Sequence, residues 1–213
     1  MTDRRTLPGA SSAATETANV SVHALRESIR NAAAAGAAWI QIREKDLQAR
    51  ELAELARLAV QDAQASGARI LVNDQLDVAL AANAAGIHLG EKSLPLEAVA
   101  EWRRLSGRTD FLIGVSCHSL DAAREAERGG ADYIFFGPVF ATPSKAAFGP
   151  PQGIERLREV CAAVEIPVLA IGGITLENTR ACLDAGAAVV AAIRLFQDAG
   201  ISGEIAARFR WFE

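Results

Sequence analysis

The chain has 213 residues, of which half are hydrophobic and 23% are charged, and its net charge is −4. This length and composition suit one compact domain with a sizeable core and exclude an intrinsically disordered chain. The acidic balance without any run of Lys and Arg argues against a nucleic-acid-binding protein, and no apolar stretch approaches the ~20 residues that a membrane span needs.

Short apolar runs alternate with longer helical patterns along the chain. The helical patterns cover 21–37, 49–65, 94–105, 119–130, 153–164 and 175–187. The apolar runs predict seven strands, at 38–42, 69–73, 86–90, 111–115, 133–137, 167–172 and 189–193. Runs of Val, Ile, Leu and Phe without polar alternation are typical of strands buried on both faces of a parallel sheet. The alternation therefore predicts consecutive βα units.

The predicted fold class is α/β, as a (β/α)8 TIM barrel over a single domain, 1–213. A closed barrel has eight strands, and the helix at 21–37 lacks a clear strand before it. The first strand is therefore expected to be short or missing, and the natural product is expected to begin several apolar residues earlier. An open doubly wound sheet is the alternative, although no G-x-G-x-x-G follows any strand.

Polar side chains follow the predicted strands at their carboxyl ends, where parallel barrels place their chemistry. Cations are frequent among them and carboxylates are few. An acidic protein that gathers cations at one rim is expected to bind an anion there. The candidate residues are Gln41, Arg43, Lys45, Asn73, Asp74, Ser116, His118, Thr142, Ser144, Lys145, Gly172, Gly173 and Arg194.

Two adjacent glycines, Gly172 and Gly173, leave a strand in the segment AIGGIT. Glycine lets the backbone approach a ligand closely, and the free N–H groups of a following helix favour phosphate. The loops after the last strands of such barrels are a frequent phosphate site, so we predict one here. Tight packing is the alternative explanation for the pair.

Several candidates have a structural explanation as well as a functional one. Asp74 would cap a helix beginning near Leu76, and His118 would cap the following helix or act in acid–base chemistry. His88 alternates within an apolar strand, which favours a satisfied core histidine. Cys117 is not expected to be a nucleophile, because adjacent strand residues point in opposite directions.

Six motifs, in order, resemble those of thiamine-phosphate synthase and its close relative, the thiazole tautomerase. They are QIREKD, LVNDQLDVAL, GIHLG, IGVSCHS, GADYIFFGPVFATPSK and VLAIGGIT, and TDRR at residues 2–5 resembles the end of that family's first strand. The resemblance implies a (β/α)8 barrel. The synthase joins hydroxymethylpyrimidine diphosphate to thiazole phosphate, and releases diphosphate as it forms thiamine phosphate.

The resemblance also implies a role for each candidate. Gln41, Arg43 and Lys45 would grip the diphosphate, and Asn73 and Asp74 would hold the pyrimidine and Mg²⁺, with Ser116 nearby. Thr142, Ser144 and Lys145 would meet the diphosphate and the thiazole phosphate, and Gly172 and Gly173 the latter. Arg194 is not part of the family pattern, but its guanidinium could pair with the thiazole phosphate through two hydrogen bonds. Lys145, Ser116 and His118 are the predicted catalytic residues, Asp74 is the predicted metal ligand and Mg²⁺ the predicted cofactor.

The sequence departs from the synthase pattern in the segment GEKS. Glu91 and Ser93 stand where the family usually has Gln and a second Mg²⁺-binding Asp, and Arg194 stands where it usually has Ser. The loop ATPSKAAFGPP is closer to tautomerase loops. A metal-free tautomerase using His118 and a non-catalytic binder of phosphorylated ligands therefore remain alternatives. A tautomerase has no diphosphate to hold, so the synthase is favoured by the presence of Gln41, Arg43, Lys45, Asn73 and Asp74.

The cellular context follows from the cysteines and from the predicted chemistry. The three cysteines, Cys117, Cys161 and Cys182, lack C-x-x-C spacing, which favours reduced thiols in the cytoplasm over a disulfide framework or a metal cage. The predicted partners are small phosphorylated substrates, with no nucleic acid and no membrane. The sequence leaves the oligomeric state open, a homo-oligomer included.

Overall fold

The computed structural model describes residues 1–3, 16–90, 92–142 and 150–193. Helices and strands alternate through this part of the chain, and the strands pair in parallel. The helices are α1 (Glu16–Ala34), α2 (Ala49–Ala63), α3 (Leu76–Ala81), α4 (Leu96–Ser106), α5 (Leu120–Arg128), α6 (Gly153–Ala163) and α7 (Thr179–Asp184). The strands are β1 (Trp39–Ile42), β2 (Arg69–Asn73), β3 (Gly86–Leu89), β4 (Leu112–Cys117), β5 (Tyr133–Phe136), β6 (Val168–Ile171) and β7 (Val189–Ala191).

The chain forms two compact units, one of Met1–Gly86 with Ile193–Glu213 and one of Ile87–Ala192. In the first unit, β1 and β2 pair in parallel with Ile40 opposite Ile70. In the second unit, the strands follow the order β3, β4, β5, β6, β7, which is also their order in the chain. Consecutive parallel strands joined by helices are the βα units that the sequence predicts.

Helix α2 illustrates why these segments become helices in the first unit. Leu52, Leu55, Ala56 and Ala59 recur at helical spacing and are almost fully buried. At its start, the Glu51 carboxylate accepts the N–H of Gln48 at 3.1 Å, which satisfies one of the amides that a helix leaves unpaired. This buried face and the satisfied amide at its start explain why the segment forms a helix.

Thr2 lies beside the end of β1. Its N–H donates to the carbonyl of Gln41 at 2.8 Å, and its hydroxyl accepts the N–H of Arg43 at 3.0 Å. The same hydroxyl donates to the buried Glu44 carboxylate at 2.6 Å. This short segment supplies the strand-like pairing expected where TDRR resembles the end of a first strand, and it confirms that this strand is short.

Two boundaries near the candidate site differ from the sequence predictions. Strand β4 continues to Cys117, so Ser116 lies within the strand and does not follow it. Helix α7 begins only at Thr179, so Gly172 and Gly173 do not open it directly, and this prediction was wrong. The intervening turn is closed by the Asn178 side chain, which accepts the N–H of Thr175 and donates to the carbonyl of Gly173, each within 3 Å.

Candidate active site

In the first unit, three predicted site residues form one hydrogen-bonded chain at the carboxyl ends of β1 and β2. The Gln41 amide nitrogen donates to the Asn73 side-chain oxygen at 2.7 Å. The Asn73 amide nitrogen in turn donates to the Asp74 carboxylate at 2.6 Å. Because neighbouring parallel strands end at the same edge of a sheet, residues 32 positions apart in the chain can meet in this way.

The backbone of Asp74 adopts a left-handed conformation, with φ of 64°. Such values are uncommon for residues other than glycine, although Asp and Asn tolerate them best, and they cluster at functional sites. Asp74 does not cap helix α3, whose N-cap is Gln75 without a side-chain bond. The turn instead directs its carboxylate to the side chain of Asn73, and the capping explanation is wrong.

Gln41 carries an unsatisfied acceptor. The residue is only 3% exposed, and within the described part of the chain its side-chain oxygen Oε1 has no hydrogen-bond partner. Buried polar atoms are nearly always paired, and leaving one unpaired costs ~1–3 kcal/mol. An acceptor held in this way at a strand end is suited to receive an N–H group from a ligand.

The cations of the motif QIREKD alternate along the chain as it leaves β1. Arg43 is half-buried and Lys45 is exposed, while Glu44 between them is buried against Thr2. Glu44 anchors the segment through its bond from Thr2, and the chain turns at Lys45, where the N–H of Leu47 donates to the carbonyl of Glu44.

In the second unit, Ser116 lies next to a buried histidine. The Ser116 hydroxyl is 2.8 Å from Nε2 of His88, and Nδ1 of His88 is 3.1 Å from the hydroxyl of Tyr133. His88 is 1% exposed, and its ring packs against that of Phe135 at a tilt of 34° with the centroids 4.3 Å apart. The sequence-based interpretation of His88 as a satisfied core histidine is confirmed, and the link to Ser116 is new.

His118 follows β4 and contacts the next strand. Its Nδ1 hydrogen-bonds to the carbonyl of Gly137, which orients the ring. It does not cap helix α5, because Ser119 does so by accepting the N–H of Ala122 at 3.1 Å. The capping explanation for His118 is therefore wrong, and the acid–base role stays a prediction.

Gly172 and Gly173 pack tightly against the segment that follows β5. Both have positive φ, 95° and 66°. A β-carbon at Gly172 would lie 2.5 Å from that of Pro138, and one at Gly173 would lie 2.6 Å from the carbonyl oxygen of Ala141. These two positions therefore require glycine for backbone conformation and for space. The predicted phosphate role is compatible with that packing but is not needed to explain it.

Some of the remaining predicted site residues lie in the described part of the chain and others lie outside it. Ser144, Lys145 and Arg194, together with Glu91, lie outside the described residues. Thr142 is half-buried, and the Ser93 hydroxyl accepts the N–H of Gly90 at 2.6 Å.

The described residues offer Mg²⁺ one carboxylate of the predicted set, that of Asp74. Within the described ranges, no group of three or more His, Cys, Asp or Glu side chains could hold a metal ion. Mg²⁺ commonly keeps several waters and is held by one or two carboxylates together with substrate phosphates. The donor set therefore fits a Mg²⁺ ion that arrives with a diphosphate, and it does not fit an ion caged by protein alone.

The thiols are set apart from this chemistry. Burial raises the pKa of Cys117 to about 12 and that of Cys161 and Cys182 to about 11. A thiol with so high a pKa is a poor nucleophile at neutral pH, in line with the expectation for Cys117. In the described part of the chain, no helix has the length and hydropathy to cross a membrane.

Comparison with known proteins gives one consistent result. A family model described as thiamine monophosphate synthase matches residues 13–196. The thiamine-phosphate synthase of Moorella thermoacetica is 44% identical over 167 residues, which are 78% of each chain. That of Syntrophomonas wolfei is 38% identical over 181 residues, covering 84% of this chain and 85% of the relative.

A solved structure extends the match to nearly the whole fold. Thiamine phosphate pyrophosphorylase from Pyrococcus furiosus superposes with a TM-score of 0.78 at 33% sequence identity, over 97% of this chain and 93% of that chain. This similarity confirms the predicted α/β barrel fold class. On the family match and the identity to its relatives, the chain belongs to the thiamine monophosphate synthase family.

Proposed function

We propose that this chain is a thiamine-phosphate synthase, a transferase that joins hydroxymethylpyrimidine diphosphate to thiazole phosphate. The structural observation that carries the proposal is the chain of hydrogen bonds from Gln41 through Asn73 to Asp74. These hydrogen bonds connect residues that an enzyme acting on a diphosphate substrate is expected to need and that the tautomerase is not. The relatives named above are synthases, which favours the same choice.

The reaction requires the protein to stabilise developing charge more than to supply a nucleophile. The bond between the pyrimidine methylene and diphosphate breaks with its electron pair on the diphosphate, and the thiazole nitrogen donates a pair to form the new C–N bond. Positive groups beside the departing oxygens lower the barrier to that separation. We assign this role to Arg43, Lys45 and Lys145.

The Asp74 carboxylate would hold Mg²⁺ in the substrate complex, because it is the acidic member of the strand-end chain. Its left-handed backbone and its bond from Asn73 keep the carboxylate oriented before substrate arrives. When bound, Mg²⁺ supplies further neutralisation of the diphosphate charge. Ser93 is a neutral replacement for a second acidic ligand, so we expect weaker binding of the ion than in relatives with Asp there.

The amide of Gln41 is oriented for a substrate donor. Its nitrogen donates one of its two hydrogens to Asn73, while within the described residues the buried Oε1 accepts none, which leaves Oε1 as an acceptor for a ligand. A diphosphate oxygen is also an acceptor and would be repelled. An N–H group such as the exocyclic amine of the pyrimidine would satisfy Oε1, so we assign Gln41 to the pyrimidine and not to the diphosphate.

The thiazole phosphate is assigned to the second group of predicted residues. Gly172 and Gly173 turn the backbone after β6 with positive φ, where amide groups can approach an anion closely. Thr142 and Ser144 would add hydroxyl donors, and the Arg194 guanidinium could bind phosphate through two hydrogen bonds.

Ser116 would contact the pyrimidine, and His118 remains the acid–base candidate of the tautomerase alternative.

The assay for this function supplies both substrates and follows diphosphate and thiamine phosphate. We expect both products in equal amounts, formation that stops with a chelator, and recovery on adding excess Mg²⁺. Turnover unaffected by the chelator would reject the metal role of Asp74. Proton transfer on a carboxythiazole phosphate alone, lost in His118→Ala, would support the tautomerase instead, and ligand binding without turnover would support the binder.

A further inference from the structure

Three polar side chains on consecutive strands of the second unit form a relay that ends at a proposed site residue. Tyr133 on β5 lies 3.1 Å from Nδ1 of His88 on β3, and Nε2 of His88 lies 2.8 Å from the hydroxyl of Ser116 on β4. Tyr133 and His88 are 0% and 1% exposed, whereas Ser116 is half-buried. The relay therefore runs from the core to a partly exposed hydroxyl.

The neighbouring strand makes room for the Tyr133 ring. Gly114 is the register partner of Tyr133 on β4. A β-carbon built at Gly114 would overlap the ring and hydroxyl of Tyr133. Gly114 has ordinary strand geometry, so its backbone does not require glycine. The missing side chain instead allows the tyrosine to lie across β4 and reach His88, which shows that the placement is built into the sheet.

The chemistry of the three groups favours one direction for the hydrogen bonds, whose donors and acceptors depend on the His88 tautomer. A phenol is a better donor than acceptor, because its oxygen shares electron density with the ring, and a bare imidazole nitrogen is a strong acceptor. Burial raises the pKa of the Tyr133 hydroxyl, so it retains its proton. Tyr133 therefore donates to Nδ1, which places the imidazole proton on Nε2. Nε2 then donates to the Ser116 oxygen.

We propose that Tyr133 and His88 are positioning residues that hold the Ser116 hydroxyl as a hydrogen-bond donor to a nitrogen of the pyrimidine ring. Once the Ser116 oxygen accepts from His88, its own proton points away from the imidazole. A ring nitrogen is an acceptor, and a hydroxyl committed to donating pairs with it without reorientation. The inference rests on the proposed function, since that function supplies the pyrimidine.

Nitrogen NMR on histidine-labelled protein tests the direction of the relay without any substrate. The chain has three histidines, and His88→Gln identifies the His88 signals by their loss. We expect the neutral tautomer with the proton on Nε2, and a shift of the tautomer population in Tyr133→Phe. A His88 ring protonated on Nδ1, or on both nitrogens, at neutral pH would overturn the proposal.

Steady-state kinetics test the consequence for substrate. Tyr133→Phe removes one hydroxyl and keeps the ring, so the fold is preserved. We expect it to raise KM for the pyrimidine diphosphate about tenfold, while KM for thiazole phosphate stays unchanged. Equal changes in both KM values, or none, would contradict the relay, because a general loss of structure does not select one substrate.

Two substitutions at His88 form a matched pair. Glutamine can accept from Tyr133 and donate to Ser116 at once, whereas leucine fills the space and can do neither. We expect His88→Gln to stay within a few-fold of wild type and His88→Leu to match Ser116→Ala. Equal kinetics for the two variants would overturn the proposal, and if leucine prevents folding, Tyr133→Phe and the NMR result decide it.

The result that would reject the proposed synthase function differs from the result that would reject the relay. A wild-type protein that releases no diphosphate with both substrates would reject the synthase, yet its His88 tautomer would still be measurable. An active wild type whose Tyr133→Phe variant behaves identically would reject the relay and leave the synthase intact.

Discussion

At the scale of single residues, the candidate site is marked by departures from ordinary protein chemistry. Gln41 buries an acceptor that has no partner among the described residues, and Asp74 has a left-handed backbone. Each costs free energy in the folded protein, on the order of 1–3 kcal/mol. Unfavourable features of this kind are retained in proteins where ligand binding compensates for them. Both features therefore indicate substrate binding more strongly than the sequence positions of the two residues do.

Replacing Asp74 by Asn tests the metal site at constant backbone geometry. Asparagine tolerates a left-handed conformation, so the free energy of unfolding should change by less than about 1 kcal/mol. Diphosphate release at limiting Mg²⁺ should fall about 100-fold, because a neutral amide is a poor ligand for this ion. Asn83→Asp is the control, since Asn83 is exposed and has φ of 51°. An Asp74→Asn enzyme with normal dependence on Mg²⁺ would refute the role.

Replacing Gln41 by Met tests the unsatisfied acceptor. Methionine has a similar shape and no polar oxygen, so the variant removes the buried orphan along with its bond to Asn73. The two effects oppose each other, and the free energy of unfolding measured in urea should change by less than about 1 kcal/mol. KM for the pyrimidine diphosphate should rise about tenfold. A strongly destabilised variant would show that Oε1 has a partner in the native protein.

At the scale of elements, the strand ends decide which residues meet. The segment after β5 and the turn after β6 are joined by two backbone bonds, from the N–H of Val139 to the carbonyl of Ile171 at 2.8 Å and from that of Phe140 to Gly172 at 3.0 Å. Gly172 and Gly173 allow this contact. Their role in packing is thus established by geometry, and any phosphate they bind would use a turn that packing has already ordered.

Replacing Gly172 by Ala measures that packing against a matched control. Gly130 lies in the same unit with φ of 89°, and a β-carbon there would meet only an ordinary contact at 3.6 Å. Gly130→Ala should therefore cost ~1–2 kcal/mol from backbone strain alone. Gly172→Ala should cost about 2 kcal/mol more, because its β-carbon would collide with Pro138. Urea unfolding gives both values, and equal costs would rule out the steric contribution.

At the scale of the whole molecule, all three cysteines lie in the second unit, where Cys117 and Cys182 are buried and Cys161 is half-buried. In the unfolded chain, each thiol titrates near its ordinary pKa of 9.0, whereas in the folded protein burial raises the pKa of Cys117 to about 12. The unfolded state therefore binds fewer protons than the folded state above about pH 9. Folding stability must fall as pH rises through this window.

This linkage predicts how the protein unfolds in alkali. The free energy of unfolding, measured in urea, should be level near pH 8 and should decline between about pH 9 and about pH 12, at ~1 kcal/mol per pH unit from Cys117 alone. Cys117→Ala should flatten the decline, because it removes one group that ionises only on unfolding. A variant with an unchanged slope would show that the Cys117 thiol already titrates in the folded protein.

The order and type of the elements follow from the amino-acid sequence alone. Seven apolar runs became seven strands within the described residues, because periodicity and burial are local properties of short segments. The short first strand and the family were also readable, since six motifs stood in order along the chain. The sequence further placed Gln41, Asn73 and Asp74 at strand ends, where a parallel sheet exposes polar groups.

The contacts that those polar groups make depend on the tertiary structure. The link between Ser116 and Tyr133 through His88 joins three strands, and its one sequence signal was a tyrosine in an apolar run opposite a strand glycine. The length of α7 likewise depended on Asn178 closing a turn. Hydrogen-bond partners and cap positions depend on distances between segments far apart in the chain, and local periodicity carries no information about those distances.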